Sequence, residues 1–209
     1  MKDMKKLILL SKLCLLILFY SCEAQPRHHI GGPCEGCEAI YEYANKKLAA
    51  IDTLPEFWNN EPKMKITGTV YHLDGKTAAQ DVIIYIYHTN RKGIYQTKGN
   101  EAGWAKRHGY IRGWVKTNKE GKFTFYSFRP ASYPDGSEPE HIHITIKEPG
   151  KNEYYLDEYF FTDDPLFTNQ FKSRLKNRGG SGVVVPKMIN GMWFIHRDLI
   201  LGKNIPDYY

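Results

Sequence analysis

The chain has 209 residues, 42% of them hydrophobic, with 29 Lys and Arg against 23 Asp and Glu, for a formal net charge of +6. That is enough apolar material for the full core of one domain. Four lysines and one aspartate sit in the first 21 positions, so the remainder carries 25 basic against 22 acidic side chains, too balanced for the clustered basic face that nucleic acid requires.

Lys2, Lys5, Lys6 and Lys12 flank short apolar runs, LILL and LCLLILF. A charged start and a short apolar stretch predict a removable export signal over residues 1–21, too short and wrongly flanked for a membrane span. Ser21-Cys22 closes it and resembles the lipobox of bacterial lipoproteins, which implies lipidation of Cys22 and an exported, membrane-anchored protein of the bacterial envelope. Cys34 and Cys37 remain, as CEGC. In an exported chain such a pair reads most simply as a disulfide; a redox C-x-x-C would want a βαβ context and a zinc site a second pair. Residues 22–37 are polar and rich in Gly and Pro and are expected to be a tether, with His28 and His29 in solvent. The folded domain is expected over 38–209.

Residues 38–50 (EAIYEYANKKLAA) place Ile40, Tyr43 and Leu48 on one face and predict a short helix. Residues 51–63, with Pro55 and Pro62, predict a loop. From Met64 the pattern becomes β. MKITGTVYHL alternates and turns at Asp74-Gly75. DVIIYIYHTN is a continuous β-branched and aromatic run, which predicts a strand buried on both faces. RKGIYQ follows, with a turn at Lys92-Gly93. Then come YIRGWVKTN, KFTFYSF, HIHITIKE and YYLDEYFF. A long loop over 163–182 contains a helical turn near Gln170–Lys176, and VVVPKM and MWFIHRDLIL end the series. Short strands with a turn about every ten residues predict a single all-β sandwich or barrel. There is no internal repeat.

One stretch carries chemistry. In HIHITI, residues i and i+2 share a face. His141 and His143 therefore present two imidazoles to one side, roughly 7 Å apart at Cα, while Ile142, Ile144 and Ile146 form an apolar core side. Tyr133 lies in the Ser132-Tyr133-Pro134 turn upstream, and Tyr95 follows the Lys92-Gly93 turn. Loop positions on a rigid scaffold are where sites usually lie. Two phenolates and two imidazoles form a hard oxygen and nitrogen set, better suited to Fe(III) than to a thiolate-loving metal. The bland reading is two surface histidines on an edge strand.

Over residues 64–205 the sequence resembles the intradiol ring-cleaving catechol dioxygenases, in their exported lipoprotein form. The matching pieces are GTVYHLDGK, VIIYIYHTNRKGIY, RGWVKTNKEGKFTFYSFRPASYP, PEHIHITI, YFFTDDPLF and FIHRDLILG. The resemblance implies a β-sandwich, Fe(III) held by Tyr95, Tyr133, His141 and His143, and a catechol and O₂ as substrates. It implies that Tyr95 and His141 stay bound, while Tyr133 leaves the iron to accept a substrate proton. The product would be a cis,cis-muconate-type diacid. Two positions depart from the pattern. Glu138 stands where the family has Arg, and Glu158 where protocatechuate enzymes have Gln. These acids are expected to face the substrate and to repel an anionic one. Arg107, His108, Arg112 and Arg129 are candidates to replace the missing cation, and Arg112 is the first choice. GTVYHLDGK and NKEGKFTF also resemble carboxypeptidase-regulatory-like binding modules, a non-catalytic alternative; a scaffold that merely stores metal is another. The oligomeric state is left open.

Overall fold

The structure, a computed structural model, describes residues 29–209. The leader, Cys22 and the first part of the expected tether lie outside the described residues. Twelve strands form two sheets among the described residues. The first sheet runs β1 (Ile51–Thr53), β5 (Lys122–Phe128), β2 (Lys63–Tyr71), β11 (Met192–His196) and β10 (Lys187–Ile189), with β12 (Leu199–Ile200) also on β2. The second runs β4 (Arg112–Lys116), β3 (Ile83–Tyr87), β6 (His141–Lys147), β8 (Tyr159–Phe161) and β9 (Val183–Val184), with β7 (Glu153–Tyr155) on β6.

The sheets pack face to face because their strands alternate. β2 buries every second residue, Met64, Ile66 and Val70 among them. Phe123 and Phe125 of β5 join them, and Ile84, Ile86, Ile142, Ile144 and Ile146 answer from the second sheet in one apolar cluster. Each such isoleucine contributes ~1.5–3 kcal/mol on leaving water. Four of those five isoleucines are also in register, Ile84 opposite Ile146 and Ile86 opposite Ile144, while Ile142 lies opposite Tyr159. A one-residue slip would turn all of them outward.

β3 is buried on both faces, as its unbroken apolar run predicts. The second cover comes from the N-terminal segment. A 3-10 helix, Cys37–Tyr41, sets Ala39 and Ile40 on Tyr85 and Trp114, with Tyr43, Leu48 and Tyr87 around them. This is shorter than the helix expected over 38–50. Ala44 adopts a left-handed φ of 49°, and Ala49 and Ala50 give their carbonyls to Lys116 and Thr124. Pairing with the sheets thus draws residues 49–53 into an extended edge, where β1 runs parallel to β5 instead of forming the expected loop.

The expected tether is also docked from Ile30 onward. The Ile30 amide donates to Asn152 and the Gly31 amide to Pro206, while Arg178 donates to the Gly31 carbonyl. Cys34 and Cys37 are joined by a disulfide that closes the turn into the 3-10 helix. The run YYLDEYFF divides into β7 and β8, and the helical turn of the long loop is Asn169–Lys172, capped by the Thr168 hydroxyl.

Candidate metal centre

The outward face of the second sheet carries the polar residues. Tyr87 lies between Arg112 on β4 and His143 on β6 in the strand register. His141 and His143 leave the start of β6 on this face, while Ile142 points into the core.

Two loops bring the tyrosines to them. In the first, the Asn90 side chain accepts from the Lys92 and Ile94 amides, and the Gly93 amide bonds back to the Asn90 carbonyl. Gly93 has φ 73°, and a Cβ there would collide with the Ser132 carbonyl oxygen. Only glycine permits both the left-handed turn and this close approach. The two loops are stapled further by Thr89 donating to Ala131 and by Arg91 donating to the carbonyls of Arg129 and Pro130. The second loop, residues 132–140, is gathered by Asp164, which accepts from the Glu140 amide at 2.5 Å and the Ser132 hydroxyl at 3.4 Å. Arg129 binds Asp163 through two nitrogens, at 2.7 and 2.8 Å, and Glu140 through a third.

The result is a closed ring of four atoms. Tyr95 Oη lies 2.7 Å from Tyr133 Oη and 2.7 Å from His143 Nε2. Tyr133 Oη is 3.2 Å from His141 Nε2, and the two Nε2 atoms are 3.1 Å apart. The outer nitrogens have partners of their own. His141 Nδ1 donates to the Pro139 carbonyl at 2.7 Å, and His143 Nδ1 faces the Glu158 carboxylate at 3.4 Å. A carbonyl and a carboxylate only accept, so each ring keeps a proton on Nδ1, and in its neutral form each turns a bare Nε2 toward the ring of four. Burial, and then the neighbouring His143, lower the pKa of His141 to about 4, so it is neutral at pH 7.

With both imidazoles neutral, the form that can ligate a metal, the four short contacts share only the two phenol protons. At least two of them set lone pair against lone pair. A cation at the centre removes that conflict at every edge. The edge lengths suit it, since donors held at ~2.0–2.2 Å from one ion sit ~3 Å apart when adjacent. Among the described residues no three of His, Cys, Asp and Glu gather as a metal-binding group, so a metal here depends on the two phenols. Without a cation, burial and then the hydrogen bond to Tyr133 push the Tyr95 pKa far up, and burial also raises Tyr133. Phenolates form here only if a strong positive charge offsets that cost.

The other candidates are distributed differently. Glu158 sits behind His143, in the carboxylate–imidazole arrangement that orients metal-binding histidines. Burial opposes its ionisation, but the hydrogen bond and electrostatic attraction of His143 outweigh it and lower its pKa. Glu138 stands on the open side, its carboxylate 3.8 Å from His141 Nε2. Its charge also acts on Tyr95, Tyr133 and His143. Arg112 does not join the ring; it pairs with Glu42 and lies over the Trp114 ring at 5.0 Å, in a cleft further along the sheet. Arg107 pairs with Glu35, and Arg129 with Glu140 and Asp163. His108 contacts the Tyr85 hydroxyl and stacks on Tyr87 at 3.8 Å.

Sequence reasoning missed Tyr87, whose ring lies between His108 and His143, the latter at 4.4 Å and 16°. Its position two residues past Tyr85 on the same face was the available signal. It also missed Asp164. A cavity of about 270 Å³ adjoins His143 and Glu158, walled by Tyr87 and the Cys34–Cys37 loop.

No protein-family model and no curated protein matches the sequence. Solved structures do. The dioxygenase domain of a dioxygenase–carbohydrate-binding protein fusion from the cellulolytic bacterium Streptomyces sp. SirexAA-E aligns over 84% of this chain and 98% of its own, at 16% identity and TM-score 0.58. Wild-type catechol 1,2-dioxygenase from Acinetobacter radioresistens aligns over 84% of this chain and 61% of its own, at 15% identity and TM-score 0.55. Hydroxyquinol 1,2-dioxygenase from Pseudomonas putida DLL-E4 aligns over 93% and 74%, at 15% identity and TM-score 0.52. The chain thus spans nearly the whole of the first and about three-fifths of the second. At this identity the likeness shows the fold, a β-sandwich of the intradiol dioxygenase type.

Proposed function

We propose that this protein is a non-haem Fe(III) dioxygenase that opens a catechol ring between its two hydroxyl-bearing carbons, using O₂, to give a cis,cis-muconate-type diacid. The observation that carries this reading is the closed Tyr95–Tyr133–His141–His143 ring, whose four contacts outnumber the protons available to fill them. A binding module without chemistry leaves that convergence unexplained. When bound, a ferric ion supplies Lewis acidity and a fixed orientation for the catechol oxygens. Tyr95 and His141 are the more enclosed members and serve as fixed donors. The Pro139 carbonyl and the Glu158 carboxylate hold the imidazoles in the tautomer that offers Nε2. Tyr133, on its own loop, is the group that accepts a catechol proton at Oη.

The substrate we propose is catechol or a neutral substituted catechol. Glu138 and Glu158 flank the histidines, and Arg107, Arg112 and Arg129 are each paired with carboxylates. A carboxylate on the substrate would meet like charge, which costs several kcal/mol when desolvated. kcat/KM should favour catechol over protocatechuate by at least about tenfold, which needs only ~1.4 kcal/mol; a preference for protocatechuate would contradict this substrate assignment.

The test is aerobic ferric reconstitution of the purified domain. A red-brown phenolate-to-iron band, O₂ uptake with catechol and a muconate-type product are expected. A colourless protein that takes up zinc and no iron would overturn the assignment. We further propose that the protein is exported and anchored through a lipid on Cys22. Cys22→Ala should release it from the membrane fraction, and an unchanged membrane fraction would refute the anchor.

A further inference from the structure

The cavity beside His143 has a volume of about 270 Å³. That is just under the ~300–1,000 Å³ of pockets for drug-sized ligands, so it takes one ring with a short arm. Tyr87, Tyr155 and Leu156 give it aromatic and apolar walls, and Glu35 and Glu158 are the acids that line it. No Lys or Arg does. Glu35 is exposed and paired with Arg107. Glu158 is not neutralised in that way. Among the described residues its ion-pair contact is His143 Nδ1, at 3.4 Å, and that imidazole is neutral in the form that ligates a metal. Arg178 and Arg197 feel the Glu158 charge through the protein. Their guanidinium groups donate instead to backbone carbonyls, Arg178 to Tyr155 and Gly31, and Arg197 to Asp157, Arg178 and Gly180.

Position matters as much as charge. The catechol hydroxyls belong at the ring of four, on the Nε2 side of His143. Glu158 lies on the Nδ1 side, and the cavity touches both residues. A substituent on the catechol, and not its hydroxyls, therefore meets this carboxylate. A neutral alkyl arm leaves the charge unanswered, and a carboxylate arm opposes it. An arm with N–H donors and a positive charge forms a charge-assisted hydrogen bond with it.

We propose that the cavity selects catechols that bear a short alkylammonium arm, with Glu158 as the counter-ion. This rests on the ring-cleaving reading above and extends its substrates from neutral catechols to cationic ones.

The experiment uses the ferric protein and catechols with an aminoethyl, a propyl or a carboxymethyl arm, which differ in charge and little in size. In wild type, kcat/KM and anaerobic affinity, the latter read from the visible band, should favour the aminoethyl arm over the propyl arm by at least about tenfold. The carboxymethyl arm should be poorest. Glu158→Gln keeps the shape and the acceptor for His143 Nδ1. At saturating iron it should bring the aminoethyl and propyl arms to within about threefold of each other. Calorimetry on the metal-free proteins should give the same order. Equal affinity for the aminoethyl and propyl arms in wild type would overturn the proposal, as would a preference that survives Glu158→Gln. A calorimetric preference with no ring opening of any probe would instead overturn the ring-cleaving reading and leave the cavity assignment standing.

Discussion

The two faces of the second sheet are built from the same strands and do opposite work. Inward, Ile84, Ile86, Ile142, Ile144 and Ile146 are almost free of solvent contact and belong to one apolar cluster. Outward, the alternate positions hold Tyr85, Tyr87, Arg112, Trp114, His141 and His143, each tied to a named polar or aromatic partner. The strand period of two makes this separation. The inner face supplies stability through burial, which does not depend on direction. The outer face presents polar contacts, which do. Substitutions on the two faces should therefore fail in different ways.

The sharpest break is at the site. His141→Ala should leave a folded domain that retains no iron after dialysis and has ring-cleaving activity at background, measured by metal analysis and O₂ uptake. Iron retained at one per chain would show that the ring of four is not the metal centre. The inner-face counterpart, Ile144→Ala, should cost ~2–5 kcal/mol in a denaturant titration. The fraction still folded should keep its full iron content. If stability instead fell equally in both variants, the division between the faces would be wrong.

A smaller effect is expected behind the proposed metal position. Glu158→Gln keeps an acceptor for His143 Nδ1 but removes its charge, and metal affinity should fall about 10–100-fold in a chelator competition. No change would mean that Glu158 neither orients nor polarises the imidazole.

Acid should reach both faces alike. His88 lies between the sheets against Ser127, and His108 lies on the outer stack; burial lowers each to about 4 from the ordinary 6.5. Between those values the unfolded chain binds protons that the folded chain refuses. Stability is then full above pH 6.5 and is lost as pH falls toward 4. The Tm of the metal-free domain should drop across that window. A flat Tm would mean that these imidazoles protonate without unfolding.

Much of this was legible in the residues. HIHITI fixed which side of β6 is apolar, because alternation alone assigns the faces. The turn at Lys92-Gly93 and the Ser132-Tyr133-Pro134 segment were visible as loops that carry tyrosines. Strand composition and turn spacing gave the all-β sandwich. Other features depended on groups far apart in sequence. The expected helix over 38–50 shrank to Cys37–Tyr41 because Ala49 and Ala50 pair with distant strands. The expected tether docked because Asn152, Arg178 and Pro206 supply partners for its backbone. Arg112 looked available for catalysis, and only the fold brought Glu42 beside it. The two acids looked equivalent as well. Which nitrogen of which histidine each one faces is set by loop closure through Gly93, Asp164 and Pro139. Local pattern determines which way a strand residue points; the direction of a loop carboxylate is decided only when distant segments pack against it.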